Sequence, residues 1–294
     1  MKQILLGVDV PIAVGPGMQP FASDPIAEAR DAEQLGFDFI SANDHPEGTQ
    51  PSLETWTMLT WVAASTSKIT VASRVLGVPY RPPAMVAKMA ATLDHLSGGR
   101  LILGLGGGFS DGQLKAFGLR VPPPKEKVEG LEEAIRIAHG LWSETGFTFE
   151  GRHFRIASAN LEPKPTRHIP IWVGTYGPRA LAVTGRVADG WIPSFDMAPP
   201  ERVPEMRGRI DAAARRAGRD PEEITFVYNI EVRIDASADA DPGIISGSAG
   251  AVVERLAALK PLGLGGINFK PVGPDRRSQV EQLGVEVLPA LRNG

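Results

Sequence analysis

Short runs rich in β-branched and aromatic residues alternate with longer runs of helical periodicity along the whole chain, eight of the former in all. Consecutive strands separated by helices cannot pair as hairpins, so this alternation predicts a parallel sheet with helices packed against it. The β-rich runs fall at residues 3–8, 37–42, 69–78, 101–105, 169–173, 190–193, 224–234 and 266–270. The helical runs fall at 25–35, 52–65, 83–96, 127–143, 178–187, 201–217, 251–262 and 277–291. Asp24 and Pro25 read as the N-cap and first residue of the first helix, and Gly36 as its C-cap. Eight units without a flexible linker predict an α/β fold, a (β/α)8 TIM barrel occupying residues 1–294 as a single domain. The alternative is a large open doubly wound sheet. One stretch breaks the repeat: residues 147–149 and 153–156 flank Glu150-Gly151-Arg152 as a small hairpin, so about 146–169 reads as an insertion.

With 43% hydrophobic and 22% charged residues, the 294-residue chain is too apolar to be disordered. Its 31 Lys+Arg against 34 Asp+Glu leave a net charge of −3 without a basic block, which excludes nucleic acid as the expected partner. Asp9, Pro11, Pro16 and Pro20 break the apolar run at the start, so neither a signal peptide nor a membrane span is expected, and the cytoplasm is the default location. The absence of cysteine excludes disulfides, thiolate nucleophiles, zinc-thiolate sites and iron-sulfur clusters. Redox chemistry would have to come from a bound cofactor. Five scattered histidines predict no metal site, and no Gly-x-Ser-x-Gly elbow occurs.

In a barrel, chemistry sits at the carboxyl ends of the strands. Of two Asp-His pairs, Asp94-His95 lies in a helix, whereas Asp44-His45 directly follows the second strand. His45 is therefore the candidate acid, base or charge stabiliser, with Asp44 orienting it or a neighbour; the alternative is a capping Asp beside an exposed His. Gly106, Gly107 and Gly108 follow the fourth strand, and Gly174-Thr175-Tyr176-Gly177-Pro178-Arg179 leads from the fifth into a helix. Bare amides at such corners can bind phosphate, with Arg179 adding charge, although a tight strand exit needs glycine too. In the proline-stiffened segment 78–83, Tyr80 and Arg81 either meet a ligand, or Arg81 pins the loop to a carboxylate. Trp191 ends the sixth strand either as a wall of the substrate pocket or as an ordinary barrel aromatic.

Several motifs together resemble the bacterial luciferase-like family. They are 32–38 leading to Asp44-His45, Pro79-Tyr80-Arg81, 91–100 with 103–106, Pro170-Ile171-Trp172-Val173-Gly174, and Ala188-Asp189-Gly190-Trp191. The resemblance implies a barrel that uses either the deazaflavin coenzyme F-420 (F420) or reduced FMN with oxygen. Gly177-Pro178-Arg179-Ala180-Leu181 is similar to the Gly-Pro-Lys-x-Leu pattern of the F420 branch. Likeness to that branch implies hydride transfer between F420 and a small organic substrate, with His45 and Asp44 as catalytic residues. The cofactor would lie against Asp44, a non-prolyl cis peptide at Arg74-Val75, and the two glycine corners. Tyr80, Arg81 and Trp191 would face the substrate. The alternatives are an FMN-dependent monooxygenase fed by a flavin reductase, and a non-catalytic flavin or deazaflavin binder. Relatives commonly form homodimers through barrel helices. Sugar-phosphate dehydrogenases of this branch carry a catalytic Glu after the glycine run; Phe109 stands there, which argues against glucose 6-phosphate oxidation.

Overall fold

The computed structural model describes residues 3–12, 24–49, 51–236, 243–273 and 275–293. Strands wrapped by helices outside and filled inside must be buried on both faces, and β2 (Phe39–Ala42) and β4 (Leu101–Gly106) are buried at every position. The other barrel strands are β1 (Leu5–Asp9), β3 (Thr70–Ser73, resumed at Leu76–Gly77), β5 (Ile171–Val173), β6 (Gly190–Trp191), β7 (Thr225–Ile234) and β8 (Gly266–Pro271). Each pairs in parallel with the next, and β8 returns to β1 in the register Leu5↔Gly266, closing an eight-stranded parallel barrel. The open doubly wound alternative is thereby excluded.

Alternation along the strands sends side chains inward and outward by turns. Inside, Phe39, Ala72, Ile102, Trp172, Ile192 and Val227 form their own cluster, with Phe39 and Trp172 edge to face at 5.5 Å. Glycine makes room for the two rings. A Cβ on Gly7 would lie 2.3 Å from the Phe39 ring, and one on Gly190 2.3 Å from Trp172. Nearer the carboxyl ends the interior turns polar. Ser41 Oγ donates to Asn268 Oδ1 (2.9 Å), Asn268 Nδ2 to Asn229 Oδ1 (3.0 Å), and Asn229 Nδ2 to the Ile192 carbonyl (3.1 Å).

Among the described residues the helices are α1 (Pro25–Gln34), α2 (Thr55–Ser65), α3 (Pro83–Ser97), α4 (Asp111–Ala116), α5 (Pro124–Ser143), α6 (Pro178–Val187), α7 (Val203–Arg216), α8 (Ala249–Ala257), α9 (Arg276–Gln282) and α10 (Leu288–Asn293). As expected, Asp24 caps α1, accepting from the Ile26 amide at 2.9 Å. The insertion is an antiparallel hairpin, Phe147–Glu150 with Arg155–Ala159. The carboxylate of Glu133 on α5 ties it down, accepting from the amides of Arg152, His153 and Phe154.

The structure departs from the expected elements in five places. The third strand is broken by a cis peptide at Arg74-Val75, where the family resemblance placed one, and a 3-10 turn, Val78–Tyr80, replaces its end. The helix at 251–262 stops at Ala257 and gives way to a 3-10 turn. The last helical run contains a π turn, Leu283–Val287. Sequence reasoning also missed α4 and a short strand, Ile244–Gly247, on the edge of β7. Most of the proline- and glycine-rich loop at 10–22 lies outside the described residues. Among the described residues, no helix is long and apolar enough to cross a membrane.

Candidate active site

The carboxyl ends of the strands open into a cavity of about 520 Å³, a size that suits a small organic ligand. Every barrel strand or the segment following it contributes to its wall, from Asp9 at the end of β1 to Lys270 on β8. Ten residues singled out in the sequence meet there: Asp44, His45, Arg74, Val75, Tyr80, Gly106, Gly107, Gly108, Gly174 and Tyr176.

Asp44 has no exposed side-chain surface, and its charge is fully engaged. Arg81 grips it with two guanidinium nitrogens at 2.9 and 3.2 Å, and the Gly77 amide donates to it at 3.1 Å. Arg81 also meets Glu54. Burial works against the Arg81 charge, but the bonds and charges of Asp44 and Glu54 outweigh it and hold the guanidinium above its ordinary pKa. Arg81 thus staples the turn after β3 to the segment after β2, and it does not line the mouth cavity. Asp44 positions that turn and leaves His45 to another partner.

That partner is Gln113 on α4, which sequence reasoning missed. Its Oε1 lies 3.4 Å from His45 Nδ1 and accepts from the Tyr80 hydroxyl at 2.9 Å, while its Nε2 donates to the Glu47 carbonyl at 2.8 Å. Burial, and then the Asp44 charge, push the Tyr80 hydroxyl above its usual pKa, which keeps it a hydrogen-bond donor. Behind Tyr80, a second cavity of about 440 Å³ runs beneath the prolines of the same turn to Lys127 and Phe154.

Arg74 also forms part of the wall, with 10% of its side chain exposed. Its nearest carboxylate oxygen, Asp9 Oδ2, is 3.8 Å away, and its Nε is buried without a partner among the described residues. Asp9 is drawn instead to Arg276, at 3.1 Å. Burial lowers the Arg74 pKa, opposed by the Asp9 charge. A half-satisfied buried cation of this kind calls for a hydrogen-bond acceptor from whatever occupies the cavity.

Other expected site residues stand off the cavity. Trp191 is fully buried in the layer between strands and helices, stacked on Phe226 at 4.9 Å, with its Nε1 donating to the Thr175 carbonyl. In strand alternation Ile192, not Trp191, takes the inward position, so Trp191 cannot wall a substrate pocket. The Thr175 hydroxyl turns to Thr184 at 2.7 Å, and Gly177 and Arg179 are exposed at the start of α6. Asn43, Asn229 and Lys270 line the cavity although sequence reasoning passed over them. The usable signal was a polar residue inside an apolar strand, as in Phe226-Val227-Tyr228-Asn229-Ile230. Among the described residues no His, Cys, Asp and Glu cluster could hold a metal ion.

The family model for luciferase-like monooxygenases matches residues 11–241. The chain belongs to that family. An F420-dependent glucose-6-phosphate dehydrogenase of Kineococcus radiotolerans is 33% identical over 236 residues, covering 76% of this chain and 67% of the relative. Among solved structures, an F420-dependent secondary alcohol dehydrogenase in complex with an F420-acetone adduct superposes with a TM-score of 0.87 at 20% identity, covering 99% of both chains. The coenzyme F420 dependent tetrahydromethanopterin reductase of Methanopyrus kandleri gives 0.84 at 21% identity, covering 98% of this chain and 99% of the other. These luciferase-like folds share the closed barrel described above.

Proposed function

We propose that this protein is an F420-dependent oxidoreductase that moves hydride between the deazaflavin and a small organic substrate in the barrel mouth. The observation that carries this reading is the convergence of His45, Val75 and both glycine corners on one cavity of about 520 Å³. The F420-dependent relatives support it. The cavity fits a flat heterocycle with a polar edge: Val75 and Ile192 offer apolar contact, Asn43 and Asn229 offer amides, and the unsatisfied Arg74 guanidinium seeks an acceptor. Amides at Gly106–Gly108 and Gly174 would hold phosphate. Gly177 and Arg179, exposed at the start of α6, would meet the anionic tail outside the cavity, whereas buried Thr175, its hydroxyl held by Thr184, would not.

Bound there, F420 supplies a carbon centre that accepts or returns a hydride. The chain's own part is to position, to shield and to handle the proton. His45 takes or gives a proton at the ring nitrogen facing the cavity. Asp44 and Arg81 fix the turn that carries Tyr80. Phe109, 85% exposed, and Met197 both line the cavity and would give its mouth an apolar lip that excludes water once substrate covers it. That lip, in place of a carboxylate, is why glucose 6-phosphate is not proposed as the substrate. We also propose a homodimer through the outer helices, supported by Trp61 on α2, 65% exposed.

Titrating the purified protein with F420 and with FMN, and following fluorescence quenching, tests the cofactor. Saturable F420 binding with FMN roughly tenfold weaker or worse is the expected result. Preference for FMN would overturn it in favour of a monooxygenase. F420 binding with no hydride exchange across alcohols, enones and imines would leave only a carrier.

A further inference from the structure

We propose that Gln113 is a positioning residue that fixes the tautomer of His45, so that neutral His45 presents Nε2 as a proton acceptor to the cavity. The inference deepens the oxidoreductase reading and rests on it for its catalytic meaning. Gln113 lies in the first turn of α4, whose N-cap Ser110 Oγ accepts from the Gln113 amide at 3.3 Å. The Glu47 carbonyl can only accept, so the side-chain NH2 of Gln113 must face it, at 2.8 Å. That leaves Oε1 turned the other way, where the Tyr80 hydroxyl donates to it at 2.9 Å. Oε1 likewise has no proton to give. A His45 Nδ1 at 3.4 Å can bond to it only as N–H; the opposite tautomer would set two lone pairs against each other.

Among the described residues no charged side chain bonds to Nδ1, although the Glu47 charge reaches the neighbouring Tyr80. Asp44 is held by Arg81 and the Gly77 amide, Glu47 contributes its backbone carbonyl, and the Tyr80 proton is committed to Gln113. On α4 itself, Asp111 pairs with Lys127 at 2.6 Å. With Nδ1 protonated, Nε2 keeps its lone pair, and it has no partner among the described residues. In the oxidising direction an alcohol substrate would lose its hydroxyl proton to Nε2 and its carbinol hydride to oxidised F420, leaving the carbonyl product. The reverse reaction returns the proton from the imidazolium.

The test is long-range 1H–15N NMR on 15N-histidine-labelled protein, with and without F420, the His45 signal being assigned by its loss in His45→Gln. The wild type should show His45 mainly as the Nδ1–H form above its titration. Gln113→Leu should redistribute it towards Nε2–H, and Gln113→Glu should keep Nδ1–H and raise the titration midpoint by about one unit. A wild-type Nε2–H form, or an unchanged tautomer in Gln113→Leu, overturns the proposal. Should Gln113→Leu not fold, an unshifted midpoint in Gln113→Glu overturns it equally. Failure to bind F420 would strike the oxidoreductase reading and leave the tautomer result standing.

Discussion

Two guanidinium nitrogens of Arg81 and one backbone amide saturate the buried Asp44 carboxylate. Removing the cation strands a charge with no exposed surface. Arg81→Met should therefore cost about 3–5 kcal/mol in chemical denaturation; a loss below about 1 kcal/mol would show that water reaches Asp44. His45 differs, being exposed and weakly held. His45→Ala should leave F420 binding near the wild-type value while lowering turnover by about 100-fold, as single-turnover absorbance of the bound cofactor would show. The pair was legible in the sequence because it directly follows a strand, and strand ends face the barrel mouth. Its wiring was not legible. Gln113 stands 68 residues beyond His45 on a six-residue helix with too few turns to show a periodic pattern. Arg74 was visible only as half of the expected cis peptide, since nothing local tells how well a buried cation will be paired.

Strands and helices were readable in proportion to their length. α6 matches its expected bounds of 178–187, whereas two-residue β6 carries no alternation of its own, and the facing of Trp191 depends on a register set by its neighbours β5 and β7. Being core, Trp191 can be tested as core: Trp191→Ala should cost about 3–5 kcal/mol of stability, with F420 affinity retained in the fraction that folds. Between elements, Glu33 on α1 accepts from the amides of Ser67, Lys68 and Ile69, capping the approach to β3 at 2.8, 2.6 and 2.9 Å. Burial opposes its ionisation, but the three amides outweigh it and hold the carboxyl below its ordinary value of 4.5. Its folded pKa is thus depressed, so the stabilisation is present above pH 4.5 and fades as pH falls below it towards the folded value. Glu33→Gln should lower the melting temperature at pH 7 and narrow the gap to wild type as the pH is taken below 4. A constant gap across that window would show that the carboxylate charge contributes nothing.

At the scale of the molecule, the outer helix layer carries large apolar side chains that the barrel does not use, Trp61 on α2 and Leu96 on α3 among them. If they meet a second copy, Trp61→Glu should convert a sedimenting dimer into a monomer with its circular dichroism unchanged; a wild-type monomer at micromolar concentration would remove the homodimer. The closed ring was legible because eight repeats without a linker leave few other arrangements, while the polar layer of Ser41, Asn229 and Asn268 escaped notice because its members are far apart in sequence. The seam between β1 and β8 bears on synthesis. The first strand leaves the ribosome long before its last neighbour, and one row of its amides and carbonyls waits for residues 266–269 before it has a mate. A stalled or truncated chain would offer that bare edge to other nascent strands, so translation speed over the final third should decide how much of this protein is recovered in soluble form.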